Sequence, residues 1–212
     1  MKNGFINIII YLFLPGIITS LFHPYVEINN ITYFLFVSIP YLFLLFYFIN
    51  KYKIIFKDDL KKINIKNILI TILLCSIGFG LMLLSNYIIN YIVFDNGIAN
   101  NEAANRNLLN SHSITYSFLM CLIIPILEEI SFRLEFKKNM KPILFILLSS
   151  FVFGLVHIVN ISSFMEMLYL IPYTLIGLGF SITYYKTDCI YMNILSHVIH
   201  NTICVIYILF IL

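Results

Sequence analysis

Charged residues are scarce in this sequence, and their scarcity argues against an ordinary soluble domain. Only 11% of the 212 residues are charged, whereas 61% are hydrophobic and the mean hydropathy is +0.95. Soluble domains carry about 25% charged residues. The composition therefore predicts a multi-pass integral membrane protein, an all-α bundle of transmembrane helices surrounded by the lipid bilayer.

The few basic residues form no stripe of the kind that binds nucleic acid, and the net charge is only +3. Six lysines lie between Lys51 and Lys66. Such a cluster between apolar runs is typical of a loop at the membrane surface rather than of a DNA-binding face. The sequence therefore predicts no nucleic-acid partner.

Cysteine pairs, internal repeats and low-complexity tails are also missing. The four cysteines are far apart and form no C-x-x-C pair, so the sequence predicts neither a disulfide framework nor a structural zinc knuckle. We expect them to be small apolar residues of helices. They are Cys75, Cys121, Cys189 and Cys204.

Long apolar runs make up most of the chain, and each is about the 20 residues that a spanning helix needs. The first run is longer than the apolar core of a signal peptide, so we expect a retained helix. Seven spans are predicted, at about residues 4–22, 31–50, 67–94, 114–136, 142–160, 163–185 and 189–212. Pro142 suits the first turn of the fifth span.

The lysines predict the orientation of these spans. Lys2 precedes the first span, and further lysines lie between spans two and three, four and five, and six and seven. The loops on the opposite side, at residues 23–30, 95–113 and 160–162, contain one lysine or arginine, Arg106. Because positive charge is enriched in cytoplasmic loops, the N-terminus is predicted inside and the C-terminus outside.

Ionisable residues within the apolar spans are the candidates for function. Each costs about 2.5–3.5 kcal/mol or more at the centre of a bilayer, so we expect these side chains to face one another around a water-containing pocket. They are Glu128, Glu129, Arg133, His157, Glu166, His197 and His200.

The fourth span contains adjacent glutamates followed by an arginine. Glu129 and Arg133 are four residues apart and share a helical face, which predicts an ion pair. Glu128 points about 100° away and has no partner on its own helix. Glu128 is therefore a candidate general base or acid, while Glu129 has a supporting role. The alternative is that both carboxylates merely lie near the membrane interface.

Two other spans contain histidines with polar or small neighbours. His157 follows Phe153 by four residues, and Gly154 allows a neighbouring helix to approach closely. His197 and Asn201 share a face, whereas His200 points about 60° from His197. Each histidine alone is more often structural than catalytic, but a carboxylate, imidazoles and an amide together predict a site that activates water.

Three motifs on successive spans carry a resemblance to a known family. The segments "EEISFR", "FGLVH" and "HVIHN" fit E-E-x-x-x-R, F-x-x-x-H and H-x-x-x-N. In this order they resemble the CAAX prenyl protease type II and bacteriocin-processing family, also called Abi proteins. The resemblance covers about residues 114–205. We therefore predict a catalytic helix bundle at 114–212 and an N-terminal transmembrane region at 1–113, which carries no recognised motif.

The resemblance implies an intramembrane endopeptidase without a cofactor. It implies that Glu128 activates water together with His157, that His197 and Asn201 stabilise the oxyanion, and that Glu129 and Arg133 support the site. The implied substrate is a membrane-bound peptide or protein. Either processing of a bacteriocin or peptide signal, self-immunity, or trimming of prenylated C-termini is consistent with it. The Lys-, Asn- and Ile-rich composition favours a bacterial plasma membrane.

Two alternatives remain open from the residues alone. Glu128, His157 and His197 are also a possible Zn²⁺ ligand set, with water at the fourth position. Intramembrane Glu and His also serve proton-coupled transporters, and a non-catalytic scaffold is a further possibility. One count opposes a shared pocket, because Glu128 lies about 13 Å from Lys137 and His157 about 22 Å from Pro142 along their helices. Helix tilt, or a fourth span that extends past the membrane surface, is required to bring the two side chains together.

Overall fold

Helices are the only regular secondary structure in the part of the chain that the computed structural model describes, residues 2–22, 30–93, 98–158 and 163–211. The predicted all-α class is thus confirmed. The helices are α1 (Lys2–Phe22), α2 (Asn30–Lys51), α3 (Lys53–Asp59), α4 (Ile65–Ile92), α5 (Asn100–Ser111), α6 (Ser113–Asn139), α7 (Pro142–His157), α8 (Leu170–Thr187) and α9 (Ile190–Phe210). Short 3₁₀ segments at Leu60–Lys62 and Phe164–Tyr169 precede α4 and α8.

Six helices in the described ranges are long and apolar enough to cross a membrane: α1, α2, α4, α6, α8 with its 3₁₀ segment, and α9. The predicted fifth span corresponds to α7, an apolar helix of 16 residues. At 1.5 Å per residue such a helix covers about 24 Å, less than the roughly 30 Å of a bilayer core. The predicted end of this span, 159–160, and the predicted loops 23–29 and 160–162 lie outside the described residues. The chain is a multi-pass membrane protein, as predicted.

Local sequence signals explain where two of these helices begin. The Asn64 side chain accepts a hydrogen bond from the backbone N–H of Asn67 at 2.9 Å and caps α4. Pro142 occupies the first turn of α7, as predicted, because its missing N–H is not needed there. The predicted loop 95–113 contains α5, a polar helix.

Helix α6 lies at the centre of the bundle. Buried residues make up 44% of an apolar 18-residue stretch of this helix, compared with 22% of such a stretch in α4. Two π-helical turns, Leu119–Ile123 and Ile130–Leu134, interrupt it, and a short α segment from Ile124 to Glu129 separates them. Such turns are rare and occur frequently at functional sites. Both glutamates of the doublet lie at the end of this short segment.

A cluster of charged residues joins the ends of α3, α6, α8 and α9. Lys62 contacts Asp59 at 2.7 Å and Asp188 at 2.8 Å, and Lys137 also pairs with Asp188. Burial raises the pKa of Asp188, but the hydrogen bonds from Lys137 and Lys62 outweigh burial and hold that pKa below its usual range. These residues come from three loops that the lysine pattern predicts on the same membrane side, so the fold is consistent with that pattern.

Asp59 differs from the other members of this cluster because it is buried. Its Oδ2 accepts the backbone N–H of Ile190 at 2.7 Å, and its backbone carbonyl lies 3.3 Å from the thiol of Cys189. Asp59 therefore holds the first turn of α9 from outside that helix.

Glycines allow α8 to approach two neighbouring helices closely. A Cβ built on Gly78 of α4 would lie 3.2 Å from the Cα of Gly179. A Cβ on Gly154 of α7 would lie 2.5 Å from Thr174 Oγ1 and 3.1 Å from the Thr174 nitrogen. The close approach that the sequence predicts for Gly154 is therefore present.

We expect Gly154→Ala to destabilise the protein by about 1–3 kcal/mol, the usual cost of overpacking. Thermal unfolding in detergent measures it. Gly80→Ala is the matched control, since a Cβ at Gly80 meets nothing within 4 Å and Ala favours the helix. An equal effect of the two substitutions would show that the α7–α8 contact is not tight.

We expect Asp59→Ala to lower the free energy of unfolding by about 1–3 kcal/mol, because it leaves the Ile190 N–H without its acceptor. The neighbouring Asp58→Ala is the control. Asp58 is exposed, and its ion pair among the described residues is with Lys61 at 3.5 Å, so its loss should cost less than about 0.5 kcal/mol. Equal melting temperatures for the two variants would contradict this account.

Candidate active site

Glu129 contacts two other predicted site residues, Arg133 and His197. It is fully buried, and its Oε2 lies 3.3 Å from Arg133 Nε, so the ion pair predicted from their spacing is present. The amide of Asn193 donates a hydrogen bond to the same carboxylate oxygen. Oε1 lies 2.7 Å from His197 Nδ1. Glu129 thus connects α6 to α9 through two side chains.

Arg133 is fully buried beside aromatic rings. Its guanidinium carbon lies 4.4 Å from the centre of the Phe153 ring and less than 6 Å from those of Phe132 and Phe180. Its nitrogens make no hydrogen bond with the described residues. The Glu129 carboxylate and the negative faces of the rings therefore offset the arginine charge.

Glu128 is also buried, but its partners come from other helices. Its Oε1 accepts a hydrogen bond of 2.6 Å from the Tyr11 hydroxyl on α1. Its Oε2 lies 3.5 Å from His197 Nε2 on α9. Both partners lie on helices other than α6, and the spacing of the sequence does not reveal either contact.

His197 lies between the two carboxylates of the doublet. Its Nδ1 is at hydrogen-bond distance from Glu129 and its Nε2 faces Glu128. A carboxylate at Nδ1 fixes the orientation of the ring, so Nε2 is the nitrogen available for chemistry. The ring also stacks on Phe180 at 4.4 Å, which holds its plane.

His157 lies at the end of α7, near the same cluster. Its Nδ1 is 2.7 Å from the Phe153 carbonyl, an acceptor, so Nδ1 donates and Nε2 is left for a different partner. Its ring stacks on Tyr173 at 4.9 Å, and the Phe153 ring lies 4.4 Å from His157 and 5.6 Å from His197. No ion pair joins His157 to either glutamate in the described ranges, and the Phe153 ring contacts both histidine rings.

Asn201 is the predicted site residue that contacts the cluster least. Its amide nitrogen donates to the Met120 carbonyl in the first π turn of α6, at 2.8 Å. That bond holds α9 against α6 one turn beyond His197. The described structure shows no bond from Asn201 to Glu128 or Glu129.

The other ionisable residues of the spans lie outside this cluster. His200 packs edge-on against Phe79 and Phe180. Glu166 accepts a hydrogen bond from Asn100 at 2.8 Å, beside α5. No hydrogen bond or ion pair joins His200 to the glutamate doublet in the described ranges, although its ring lies 6.4 Å from that of His197.

The packing of α7 on α6 reduces the predicted difference in depth between Glu128 and His157. Ser149 donates to the Phe132 carbonyl at 2.8 Å, and Phe153 lies over the Arg133 guanidinium. From the Ser149–Phe132 contact, His157 lies eight residues further along α7 and Glu128 four residues back along α6, which is about 12 Å and about 6 Å. The two helices run in opposite directions, so a difference in depth of about 6 Å remains.

Two residues of the cluster are missed by the sequence reasoning. Asn193 carries a detectable signal, because it precedes His197 by four residues and shares its face. Tyr11 carries none, since a tyrosine in an apolar span is common and its partner is 117 residues away.

The predicted zinc ligands do not form a metal site in the described structure. No group of three or more His, Cys, Asp or Glu side chains in the described ranges is arranged to hold a metal ion. The set of Glu128, His157 and His197 therefore does not fit Zn²⁺ in this arrangement.

A comparison with known families gives a match over part of the chain. Residues 110–203 match the family model "Type II CAAX prenyl endopeptidase Rce1-like". The predicted resemblance is confirmed. The matched segment contains α6 to most of α9, with all of the predicted site residues, but not α1 to α4. The family is one of endopeptidases, which supports a hydrolase of peptide bonds. No curated protein and no solved structure gave a significant match.

We expect Arg133→Met to lower the free energy of unfolding by about 3–5 kcal/mol, because Glu129 keeps a buried charge without its cation. The double variant Glu129→Gln/Arg133→Met should recover most of this loss, since neither charge remains. Thermal unfolding of both variants in detergent measures the difference. A double variant no more stable than Arg133→Met would show that the two charges do not act as a pair.

Proposed function

We propose that this protein is an intramembrane endopeptidase in which Glu128 activates the attacking water. The observation that supports it most is the arrangement of Glu128 Oε2 and His197 Nε2, 3.5 Å apart and buried within the membrane-spanning bundle. A carboxylate base beside an imidazole, shielded from bulk water, has the groups that peptide hydrolysis needs.

In the proposed reaction Glu128 takes a proton from water as the water oxygen attacks the peptide carbonyl carbon. His157 Nε2 receives a hydrogen bond from the same water. The C–N bond then breaks, and Glu128 returns its proton to the leaving amine. The carboxylate is thereby restored, so no external acid or base is consumed.

Charge on the tetrahedral intermediate is stabilised from α9. His197 contributes Nε2–H as a donor to the oxyanion, and the carboxyl group of Glu129 at Nδ1 holds the ring in that orientation. Asn201 supplies a second donor, because its amide has two N–H groups and the Met120 carbonyl accepts only one. Arg133 holds Glu129 in place.

The substrate is proposed to be a membrane-bound peptide or protein. The family description favours cleavage near a prenylated C-terminus. Processing of a bacteriocin or peptide signal, or self-immunity, in a bacterial plasma membrane stays a prediction from the sequence.

We expect purified wild-type protein to cleave members of a quenched library of apolar and prenylated peptides. Glu128→Gln should abolish turnover, and His197→Ala should lower it by about 10²–10³, the usual cost of an oxyanion donor. Glu102→Gln on α5 is the control and should cleave normally. Each variant is assayed with and without a chelator.

Four outcomes would contradict the proposal. Cleavage by Glu128→Gln at the wild-type rate removes the assigned base. Loss of wild-type cleavage on chelation identifies the zinc-dependent alternative. Proton-coupled flux in liposomes without any peptide cleavage identifies a transporter, and inactivity in both assays favours a scaffold.

A further inference from the structure

The Tyr11 hydroxyl reaches the proposed catalytic base from a helix outside the family match. It donates to Glu128 Oε1 at 2.6 Å, whereas the matched segment begins at residue 110. The tyrosine lies midway along α1, the first spanning helix. The N-terminal region therefore contributes a side chain to the site.

Contacts along one face of α1 determine where this hydroxyl lies. Gly4 allows α1 close to α6, since a Cβ there would lie 3.0 Å from the Phe136 ring. Asn7, one turn before Tyr11, is fully buried, donates to Tyr52 at 2.6 Å and accepts from Lys51 at 2.8 Å. These contacts fix the axial position and rotation of α1.

The Tyr11 ring, like α1 itself, is fixed in position. It packs edge-on against Phe132 in the second π turn of α6, with ring centres 6.0 Å apart at 83°. A phenylalanine would make the same ring contact. The difference that the Tyr11 hydroxyl makes is therefore its hydrogen bond to Glu128.

The two oxygens of Glu128 consequently face different groups. Oε1 is occupied by Tyr11, and Oε2 points to His197. The terminal torsion of a glutamate is broad and roughly two-fold, so an isolated carboxylate rotates easily. A donor on one oxygen holds the plane of the carboxylate and directs the other oxygen toward the reacting groups.

We propose that Tyr11 is a positioning residue, which orients the Glu128 carboxylate so that Oε2 accepts the proton of the attacking water. This role rests on the proposed peptidase function. It also makes the first spanning helix part of the active site, although α1 contains none of the family motifs.

Kinetics of Tyr11→Phe test this role in the full-length protein. A hydrogen bond to a charged group contributes enough that kcat should fall about 10- to 100-fold. KM should stay within about two-fold, because the hydroxyl is bound to the enzyme's own base rather than to substrate. Tyr91→Phe, at an exposed tyrosine of α4, should match wild type. An unchanged kcat, or a change in KM alone, would overturn the proposal.

Infrared spectroscopy of the resting protein gives a readout that needs no substrate. With ¹³C-labelled glutamate, the Glu128 carboxylate band is the one that disappears in Glu128→Gln. Tyr11→Phe should shift this band and Tyr91→Phe should not. No shift would overturn the proposal even if activity falls. A shift in a protein that cleaves no peptide would uphold the Tyr11 contact and overturn the peptidase function instead.

Discussion

The buried charge pair of Glu129 and Arg133 is the constraint on which the rest of the site depends. Removing two charges from water costs several kcal/mol per ion, and only good geometry with further polar or aromatic contacts offsets that cost. Here the contacts come from every neighbouring helix of the matched segment. Phe153 on α7 and Phe180 on α8 face the guanidinium, while Asn193 and His197 on α9 satisfy the carboxylate. The pair therefore requires these helices to pack together.

The same constraint explains why two glutamates are adjacent. A helix turns about 100° per residue, so a second carboxylate beside Glu129 faces a different neighbour. Glu129 is committed to Arg133 and to the orientation of His197, whereas Glu128 faces Tyr11 and the other nitrogen of that histidine. Glu129 thus holds the His197 imidazole, and the other nitrogen of that ring faces Glu128. Adjacent residues therefore have the structural role and the chemical role.

Local spacing predicted the parts of the site that lie on one helix. The Glu129–Arg133 pair follows from a separation of four residues, and the close approach at Gly154 follows from its missing side chain. The parts that no spacing encodes are contacts between distant segments, such as the bond from Tyr11 to Glu128 and that from Asn201 to the Met120 carbonyl. The π turns of α6 also carry no pattern that the apolar sequence reveals, yet they set which side chains face inward.

Polar contacts at one end of the bundle determine the depth of the site. Asp59 holds the N–H of Ile190, and His197 follows seven residues later, about 10 Å along α9. Lys51 and Tyr52 hold Asn7 in the same way, and Tyr11 follows one turn later. Helices are stiff, so fixing their ends fixes the level of the side chains within them. A helix held by apolar packing against lipid and neighbouring helices slides along its axis more easily than a helix held by a hydrogen bond to a buried carboxylate. The ends of α2 and α3, which carry no motif, therefore set the alignment of residues that the motifs supply.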